Sequence, residues 1–162
     1  MYIRALLIIG LLCISACGWH LRGSHSAQAP SELNLVSADP YAALALAFRE
    51  NMQQQGISNN NVAPLQLKIG SEQLSKRTVA VTNIGSPSQY ELSLSVEYQY
   101  YLLTESESVT LPRTISVQRV FDYDPNNTVA KNEEENTLIE EMRRELARRI
   151  ISFAARELGP QL

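Results

Sequence analysis

The feature that most constrains the fold is an alternation of apolar and polar side chains between positions 90 and 100. Successive side chains of a β-strand point to opposite faces of its sheet. The pattern therefore predicts a strand with one buried and one solvated face, which another layer of the fold has to cover. The apolar positions are Leu92, Leu94, Val96, Tyr98 and Tyr100, and the polar ones are Glu91, Ser93, Ser95, Glu97 and Gln99.

Three further segments carry strand patterns, at 33–36, 65–69 and 115–121. The second alternates Leu65, Leu67 and Ile69 with polar residues, and its alternation falters over 70–76, which predicts a bulge or a bend. Turn-forming residues at 83–88 and 105–108 join the last three strands by short connections. Consecutive strands with short connections predict an antiparallel meander.

Two segments have the three- and four-residue spacing of apolar side chains that is typical of a helix with one buried face. Asp39 and Pro40 are expected to cap and begin the first, and Gly56 to end it. The second is expected from about 128 to 158, before Gly159 and Pro160. The two apolar stripes are Tyr41, Leu44, Ala45, Phe48 and Met52 in the first helix, and Leu138 or Ile139, Met142, Leu146, Ile150, Phe153 and Leu158 in the second.

These elements predict an α/β fold of the α+β two-layer kind. A four-stranded, largely antiparallel sheet carries both helices on one face, in the order β-α-β-β-β-α. We expect the domain to occupy residues 32–162, after an N-terminal region with a different composition.

The N-terminal region has the pattern of a bacterial lipoprotein signal. Arg4 is followed by a short apolar run that ends Ile14-Ser15-Ala16-Cys17, and the run is too short and too interrupted to span a bilayer. We therefore expect a signal peptide at 1–16, lipid on Cys17, and a tether at 17–31. Ordinary signal cleavage is the alternative, and Ile14 fits it poorly. Gly18 after the cysteine favours transfer to the outer membrane.

Cysteine content and charge limit the environment and the partners of the chain. Cys13 leaves with the signal, so an acylated Cys17 would leave the mature chain without a reactive thiol in an oxidising compartment. The sequence has 14 basic and 17 acidic side chains, a net charge of −3. A general affinity for nucleic acid is therefore not expected, and an anionic ligand would need a local basic cluster.

The domain lacks the usual catalytic groups, so we predict that the chain is not an enzyme and needs no cofactor or metal. The two histidines of the chain, His20 and His25, both precede position 32 and so lie outside the domain. Nucleophilic triads and zinc sites need groups that the domain does not have. Ser75 and Lys76 are neighbours on a strand and would point to opposite faces, which argues against a Ser-Lys dyad.

Two other groups of residues have structural interpretations that we prefer to functional ones. The acidic run 133–135 is interpreted as helix-dipole partners on a solvated face rather than as a metal or acid/base site. Tyr98, Tyr100 and Tyr101 are interpreted as packing residues, with stacking on a sugar as the alternative.

Three segments of the sequence, at 17–23, 89–92 and 129–135, carry a resemblance to a known family. The run Cys17-Gly18-Trp19-His20-Leu21-Arg22-Gly23 resembles the mature N-terminus of the LptE family of lipopolysaccharide-assembly lipoproteins. Gln89-Tyr90-Glu91-Leu92 is similar to its turn-then-tyrosine segment, and Val129 to Glu135 to the entry into its last helix. The resemblance implies an outer-membrane lipoprotein on the periplasmic side, seated as a plug in the lumen of the LptD β-barrel. It would support assembly of LptD, bind lipopolysaccharide and assist its transport to the outer leaflet.

The resemblance also implies ligand-binding residues, because lipopolysaccharide carries phosphates. Lys131 matches the basic position of the family at the head of the last helix. The family has an arginine near the hairpin where this chain has Asn83, and Lys76 or Arg77 on the adjacent strand is the candidate replacement. The alternative function is a periplasm-facing scaffold lipoprotein of another envelope assembly machine, with no ligand of its own.

Overall fold

The computed structural model describes residues 30–102 and 107–158. The helices are α1 (Ala43–Gln54) and α2 (Thr128–Phe153). A 3₁₀ turn at Pro125–Asn127 precedes α2, and a wider π-helical turn at Ala154–Leu158 follows it. The strands are β1 (Glu32–Ser37), β2 (Ser58–Asn59), β3 (Leu65–Ile69), β4 (Gln73–Val81), β5 (Pro87–Leu102), β6 (Glu107–Ser108) and β7 (Arg113–Asp122).

The strand predicted from the alternation, β5, is the centre of the sheet. β3 and β4 both pair with one edge of β5, and β6 and β7 both pair with the other edge, all antiparallel. β1 pairs in parallel with β3, and the two-residue β2 pairs in parallel with β1. The sheet is thus mixed but largely antiparallel, because four of its six strand pairings are antiparallel and two are parallel.

β3 and β4 lie end to end along β5, with a one-residue offset in register between them. Leu65 pairs with Leu102 and Ile69 with Tyr98, whereas Gln73 pairs with Ser95. The offset falls inside the segment where the alternation falters, so the expected irregularity is confirmed. The four predicted strands correspond to β1, β3, β5 and β7, and the additional strands β2, β4 and β6 bring the number in the described residues to seven.

Both helices cover the same face of the sheet, as predicted. Alternate residues of β1, β3 and β5 and the apolar stripes of α1 and α2 form one buried cluster. The largest fully buried side chains include Tyr100, Phe48, Leu67, Leu94 and Met142. Tyr100 donates a hydrogen bond from its hydroxyl to the carbonyl oxygen of Ile150, 2.8 Å away, and so links the central strand to α2.

The first helix begins later than its sequence suggested. The Asp39 carboxylate accepts a hydrogen bond from the backbone N–H of Tyr41 at 2.9 Å, which forms a turn ahead of α1. Tyr41 is 84 % exposed, so its assignment to the buried stripe is wrong. The predicted end is correct, because Gly56 has a φ of 72°, a conformation that favours glycine just past a helix.

The second helix follows its predicted course. Ile139, rather than Leu138, is the more deeply buried of the two alternatives, and the stripe continues through Met142, Leu146 and Ile150. Within residues 30–102 and 107–158, no helix is long and apolar enough to cross a bilayer.

Candidate functional site: the hairpin end

One end of the sheet brings the loop between β4 and β5 close to the start of α2, and we call it the hairpin end. Gln89 pairs with Asp122, and the backbone N–H of Tyr123 donates to the carbonyl oxygen of Ser88 at 2.8 Å. Asp124 then caps the 3₁₀ turn by accepting a hydrogen bond from the backbone N–H of Asn126 at 2.9 Å. The chain therefore enters α2 beside the residues that open β5.

Lys131 lies in the first turn of α2, and its ammonium group is bonded to a carboxylate of the same helix. Nζ is 2.8 Å from Oε2 of Glu134, three residues further along. The Lys131 side chain is 21 % exposed and that of Glu134 is 44 % exposed. Pairs of this spacing on a helix surface contribute about 0.2–0.5 kcal/mol, so the contact holds Lys131 weakly.

Lys76 lies on the side of β4 that faces the helices, where three groups hold it. Its Nζ is 2.5 Å from Oε2 of Glu135 and 4.4 Å from the centroid of the Tyr90 ring. The Phe121 ring centroid is 5.5 Å away. A carboxylate and two aromatic rings around one ammonium group fix Lys76 to α2 and β5, as part of the seam between the sheet and the helix.

Arg77 lies on the opposite, open face of the sheet. Its Nε and a terminal nitrogen donate to the two carboxylate oxygens of Glu91, at 2.7 and 3.0 Å. The hydrogen bond to Glu91 and the charge of that carboxylate raise the pKa of Arg77. Arg77 and Glu91 are directly paired residues of β4 and β5, so their contact links the two strands on the open face. Arg77 therefore lies on a different surface from Lys131.

Asn83, the position at which the resemblance implies an arginine, is exposed in the loop between β4 and β5. The loop is closed by a hydrogen bond of 2.7 Å from the backbone N–H of Thr82 to the carbonyl oxygen of Ser86. Gly85 has a φ of 82°, which the tight turn requires.

Two of the candidate cations, Lys131 and Lys76, share the seam between the sheet and α2 at the hairpin end. Glu135, the ion-pair partner of Lys76, lies one helical turn after Lys131 and therefore on the same face of α2.

The partners of these cations are not predicted by the sequence pattern. The interpretation of the run 133–135 as dipole partners is wrong, because α2 begins at Thr128 and its first turn contains no acidic residue. The dipole acts mainly within the terminal turn. Glu134 and Glu135 instead form ion pairs with Lys131 and Lys76. The spacing of Lys131 and Glu134 is visible in the sequence, whereas the pairing of Lys76 depends on long-range packing.

The aromatic residues of β5 take the structural role that we preferred. Tyr98 and Tyr100 are buried and pack edge to face with centroids 6.0 Å apart, and Phe153 lies against both. Tyr101 points to the open face and donates its hydroxyl hydrogen to Gln99. Burial raises the pKa of the Tyr100 hydroxyl, so this group stays protonated.

The structure describes the possible metal ligands of the domain but not the lipid anchor. Among the residues that the structure describes, no group of three or more histidine, cysteine, aspartate or glutamate side chains is placed to hold a metal ion. Cys17, the signal peptide and nearly all of the tether lie outside the described residues. The lipidation of Cys17 therefore stays a prediction.

Comparison with known proteins identifies the family. The LptE model, described as lipopolysaccharide-assembly, matches residues 32–153. The chain belongs to the LptE family. The LPS-assembly lipoprotein LptE of Photorhabdus laumondii is 31 % identical, over 90 % of this chain and 81 % of that protein. That of Pectobacterium atrosepticum is 30 % identical over the same shares.

Solved structures agree with this membership. The crystal structure of the rare lipoprotein B from Shewanella oneidensis superposes with a TM-score of 0.69 at 28 % identity, over 81 % of this chain and 99 % of that one. A minor lipoprotein from Acinetobacter baumannii, 20 % identical, shares the fold with a TM-score of 0.61, over 77 % and 90 % of the two chains. The role of the family in lipopolysaccharide assembly is a non-enzymatic one.

Proposed function

We propose that this chain is a lipid-anchored subunit of the lipopolysaccharide export machinery. In this proposal Cys17 carries the lipid and holds the protein at the outer membrane. The domain sits in the lumen of the LptD β-barrel, supports assembly of that barrel, and binds lipopolysaccharide on its way to the outer leaflet. Membership of the LptE family supports the role in assembly, and the surface of the domain supports the partner and the ligand.

The open face of the sheet is suited to a water-filled barrel. Its residues on the central and flanking strands are mainly small or polar, and the lumen of an outer-membrane barrel is polar as well. A compact domain of this length has a radius of gyration of about 14 Å, so only a barrel of more than about 20 strands could enclose it. The open-face residues include Ser75, Ser93, Ser95, Ser116 and Gln118.

The weak pairing of Lys131 supports the ligand part of the proposal. Lys131 lies at the hairpin end with only a weak partner on its own helix, whereas Lys76 is held by three groups and Arg77 by a two-point contact with Glu91. A cation with a weak internal partner is the one that a phosphate can recruit. We therefore assign the phosphate contact to Lys131, and structural contacts to Lys76 and Arg77.

A binding assay tests the ligand part. The full chain in detergent is mixed with purified lipopolysaccharide, and capture is compared for wild type, Lys131→Glu and Lys68→Glu. Lys68 is an exposed lysine of β3, so its substitution changes the net charge by the same amount at a different place. Capture should weaken several-fold for Lys131→Glu and stay unchanged for Lys68→Glu. Equal effects of both substitutions would indicate general electrostatic attraction and reject the assignment.

The partner and the anchor need separate measurements. Affinity purification of the chain from membranes should recover LptD, and depletion of the chain should leave that barrel misfolded. The intact mass of the mature chain should equal the sequence from Cys17 plus its acyl groups. A correctly folded barrel after depletion, with export intact, would refute the partnership.

A further inference from the structure

The ammonium group of Lys131 is already occupied within the chain. Glu134 Oε2 lies 2.8 Å from Lys131 Nζ, and the two residues are three positions apart on α2. Any anion that reaches Lys131 from solution therefore meets a competing carboxylate on the same helix. The competition therefore lowers the apparent affinity of Lys131 for every incoming anion by the same factor.

We propose that Glu134 tunes the affinity of the Lys131 site, because its carboxylate competes with the phosphate of the ligand for the ammonium group. This inference rests on the proposed function, in which Lys131 contacts lipopolysaccharide. Glu134 acts through Lys131 and does not itself touch the ligand, so it is a positioning residue.

The Glu134 carboxylate can leave Lys131 at little cost in free energy. The Glu134 side chain is 44 % exposed, so the carboxylate can rotate into water and regain its hydration. In the part of the chain that the structure describes, Lys131 is its only ion-pair partner. A pair between residues three positions apart on a helix surface is among the weaker ion pairs in proteins.

The neighbouring pair shows the opposite arrangement. Glu135 is only 19 % exposed, and the ammonium group of its partner Lys76 also lies 4.4 Å from the Tyr90 ring centroid. Displacing Glu135 would separate α2 from β4 as well as break one ion pair. Of the two adjacent glutamates at the hairpin end, Glu135 therefore stabilises the fold, and Glu134 competes with the ligand for the ammonium group of Lys131.

The charge of a phosphate group is what allows it to displace the Glu134 carboxylate. A phosphate monoester carries between about 1.5 and 2 negative charges at neutral pH and has three acceptor oxygens. Its attraction to Lys131 is therefore larger than that of a carboxylate with a single charge.

Removing the competing carboxylate tests the proposal. Capture of purified lipopolysaccharide by the full chain in detergent is measured for wild type and Glu134→Gln at the same ionic strength. Glu134→Gln should tighten capture by about two- to fivefold, since a weak pair and one repulsive charge are lost. The matched control is Glu141→Gln, which removes an exposed acidic charge from the same helix at a distance of about 15 Å from Lys131 along the axis. It should leave capture unchanged.

A double-mutant cycle separates competition from general charge effects. In the Lys131→Gln background, Glu134→Gln should no longer tighten capture, because the cation for which Glu134 competes is gone.

Two results would overturn the inference. One is tightening by Glu134→Gln that persists in the Lys131→Gln background, and the other is equal tightening by Glu141→Gln. If Lys131→Gln weakens capture but Glu134→Gln has no effect, this inference fails while the proposed function stands. If Lys131→Gln itself has no effect, the proposed ligand site fails.

Discussion

At the scale of single residues, position on one face or the other of β5 decides what a tyrosine does. Tyr100 is fully buried, and its hydroxyl reaches the carbonyl oxygen of Ile150 in α2. Tyr101, the next residue, points to the open face and contacts Gln99 on its own strand. The alternation predicts which face each tyrosine takes, but the acceptor on α2 follows only from how the helix packs.

Tyr100→Phe should therefore destabilise the domain by about 1 kcal/mol, because a buried hydrogen bond is lost and the ring remains. The measurement is chemical denaturation of the full chain in detergent, followed by circular dichroism. Tyr101→Phe is the matched control, and its effect should stay within about 0.5 kcal/mol of zero. An equal loss for both substitutions would mean that the Ile150 contact contributes nothing specific.

Glu145 is the residue whose ionisation links stability to pH. Its carboxylate lies between the guanidinium groups of Arg119 on β7 and Arg149 one turn further along α2. Burial by itself raises the pKa of Glu145, but the hydrogen bonds and charges of Arg119 and Arg149 outweigh it and lower the pKa below 4.5. The folded state therefore binds the proton of Glu145 less readily than the unfolded chain does.

The contribution of Glu145 to stability should be complete above pH 4.5 and be lost as the pH falls through its lowered pKa in the folded state. Denaturation of wild type and Glu145→Gln across about pH 3 to 7 measures it, since this range spans the ordinary glutamate pKa of 4.5. Glu145→Gln should be less stable at neutral pH and lose less stability on acidification. Glu141→Gln, an exposed substitution on the same helix, should follow the wild-type curve. Parallel curves for Glu145→Gln and wild type would contradict this assignment.

At the scale of elements, the irregularity between β3 and β4 is held in place by α2. Glu72 lies in that interruption, and both of its carboxylate oxygens accept from the Arg143 guanidinium group, at 2.8 and 2.6 Å. The two side chains are 25 % and 20 % exposed. The hydrogen bond from Arg143 to Glu72 raises the pKa of Arg143, which stays charged at every pH at which the protein folds.

Arg143 and Glu72 should be strongly coupled. A cycle of Arg143→Met, Glu72→Gln and the double variant should give a coupling energy of about 1–2 kcal/mol, because the contact is two-pointed and mostly covered. The same cycle on Lys131 and Glu134 should give about 0.2–0.5 kcal/mol. Chemical denaturation measures both. A coupling for Arg143 and Glu72 as small as that of the helix-surface pair would show that the interruption is held by the sheet alone.

Elements were predictable from the sequence to the extent that their patterns are local. The strands β1, β3, β5 and β7 and both helices follow from apolar periodicity. β4 was not recognised as a separate strand, because nearly all of its side chains are exposed and its sequence has no apolar alternation. The pairing of β3 and β4 with one edge of β5 joins residues up to 37 positions apart, from Leu65 to Leu102, and periodicity carries no information about it.

At the scale of the whole molecule, the two halves of the sheet are covered unequally. α1 and α2 together cover β1, β3 and the later part of β5, where most of the fully buried side chains lie. The hairpin end has β4, the start of β5 and the end of β7, with only the first part of α2 above them. Segments with few buried contacts open most easily. The candidate site is therefore on the least firmly held half of the domain.

The family resemblance supports the membership of the chain, whereas the structure distinguishes Lys131 from the other two candidate cations. Family membership, first indicated by the run from Cys17 to Gly23 and two internal motifs, is confirmed over residues 32–153. The assignment of Lys131, by contrast, needed the distances around Lys76 and Arg77, because all three are basic residues near one end of the fold. Sequence alone ranks them by family motif, and only packing reveals which cation has a weak partner.

Amide hydrogen exchange on Lys76→Gln and Arg77→Gln tests this division of the molecule. The two residues are neighbours on β4 and face opposite sides, so each substitution removes one charge from the same strand. Lys76→Gln removes the contacts to Glu135 and Tyr90, and it should speed exchange in β4 and in the first turns of α2. Arg77→Gln removes only the contact to Glu91, so faster exchange should be confined to β4 and β5.

Amides of β3 and of the later part of β5 serve as the internal control in both variants, because two helices cover them. Their exchange should stay slow and change less than that of β4, since a local opening at the hairpin end does not expose the main core. If Lys76→Gln sped exchange equally in every strand, the domain would open as a single cooperative unit. The hairpin end would then not be separately mobile, and a ligand at Lys131 would stabilise the whole domain rather than that end alone.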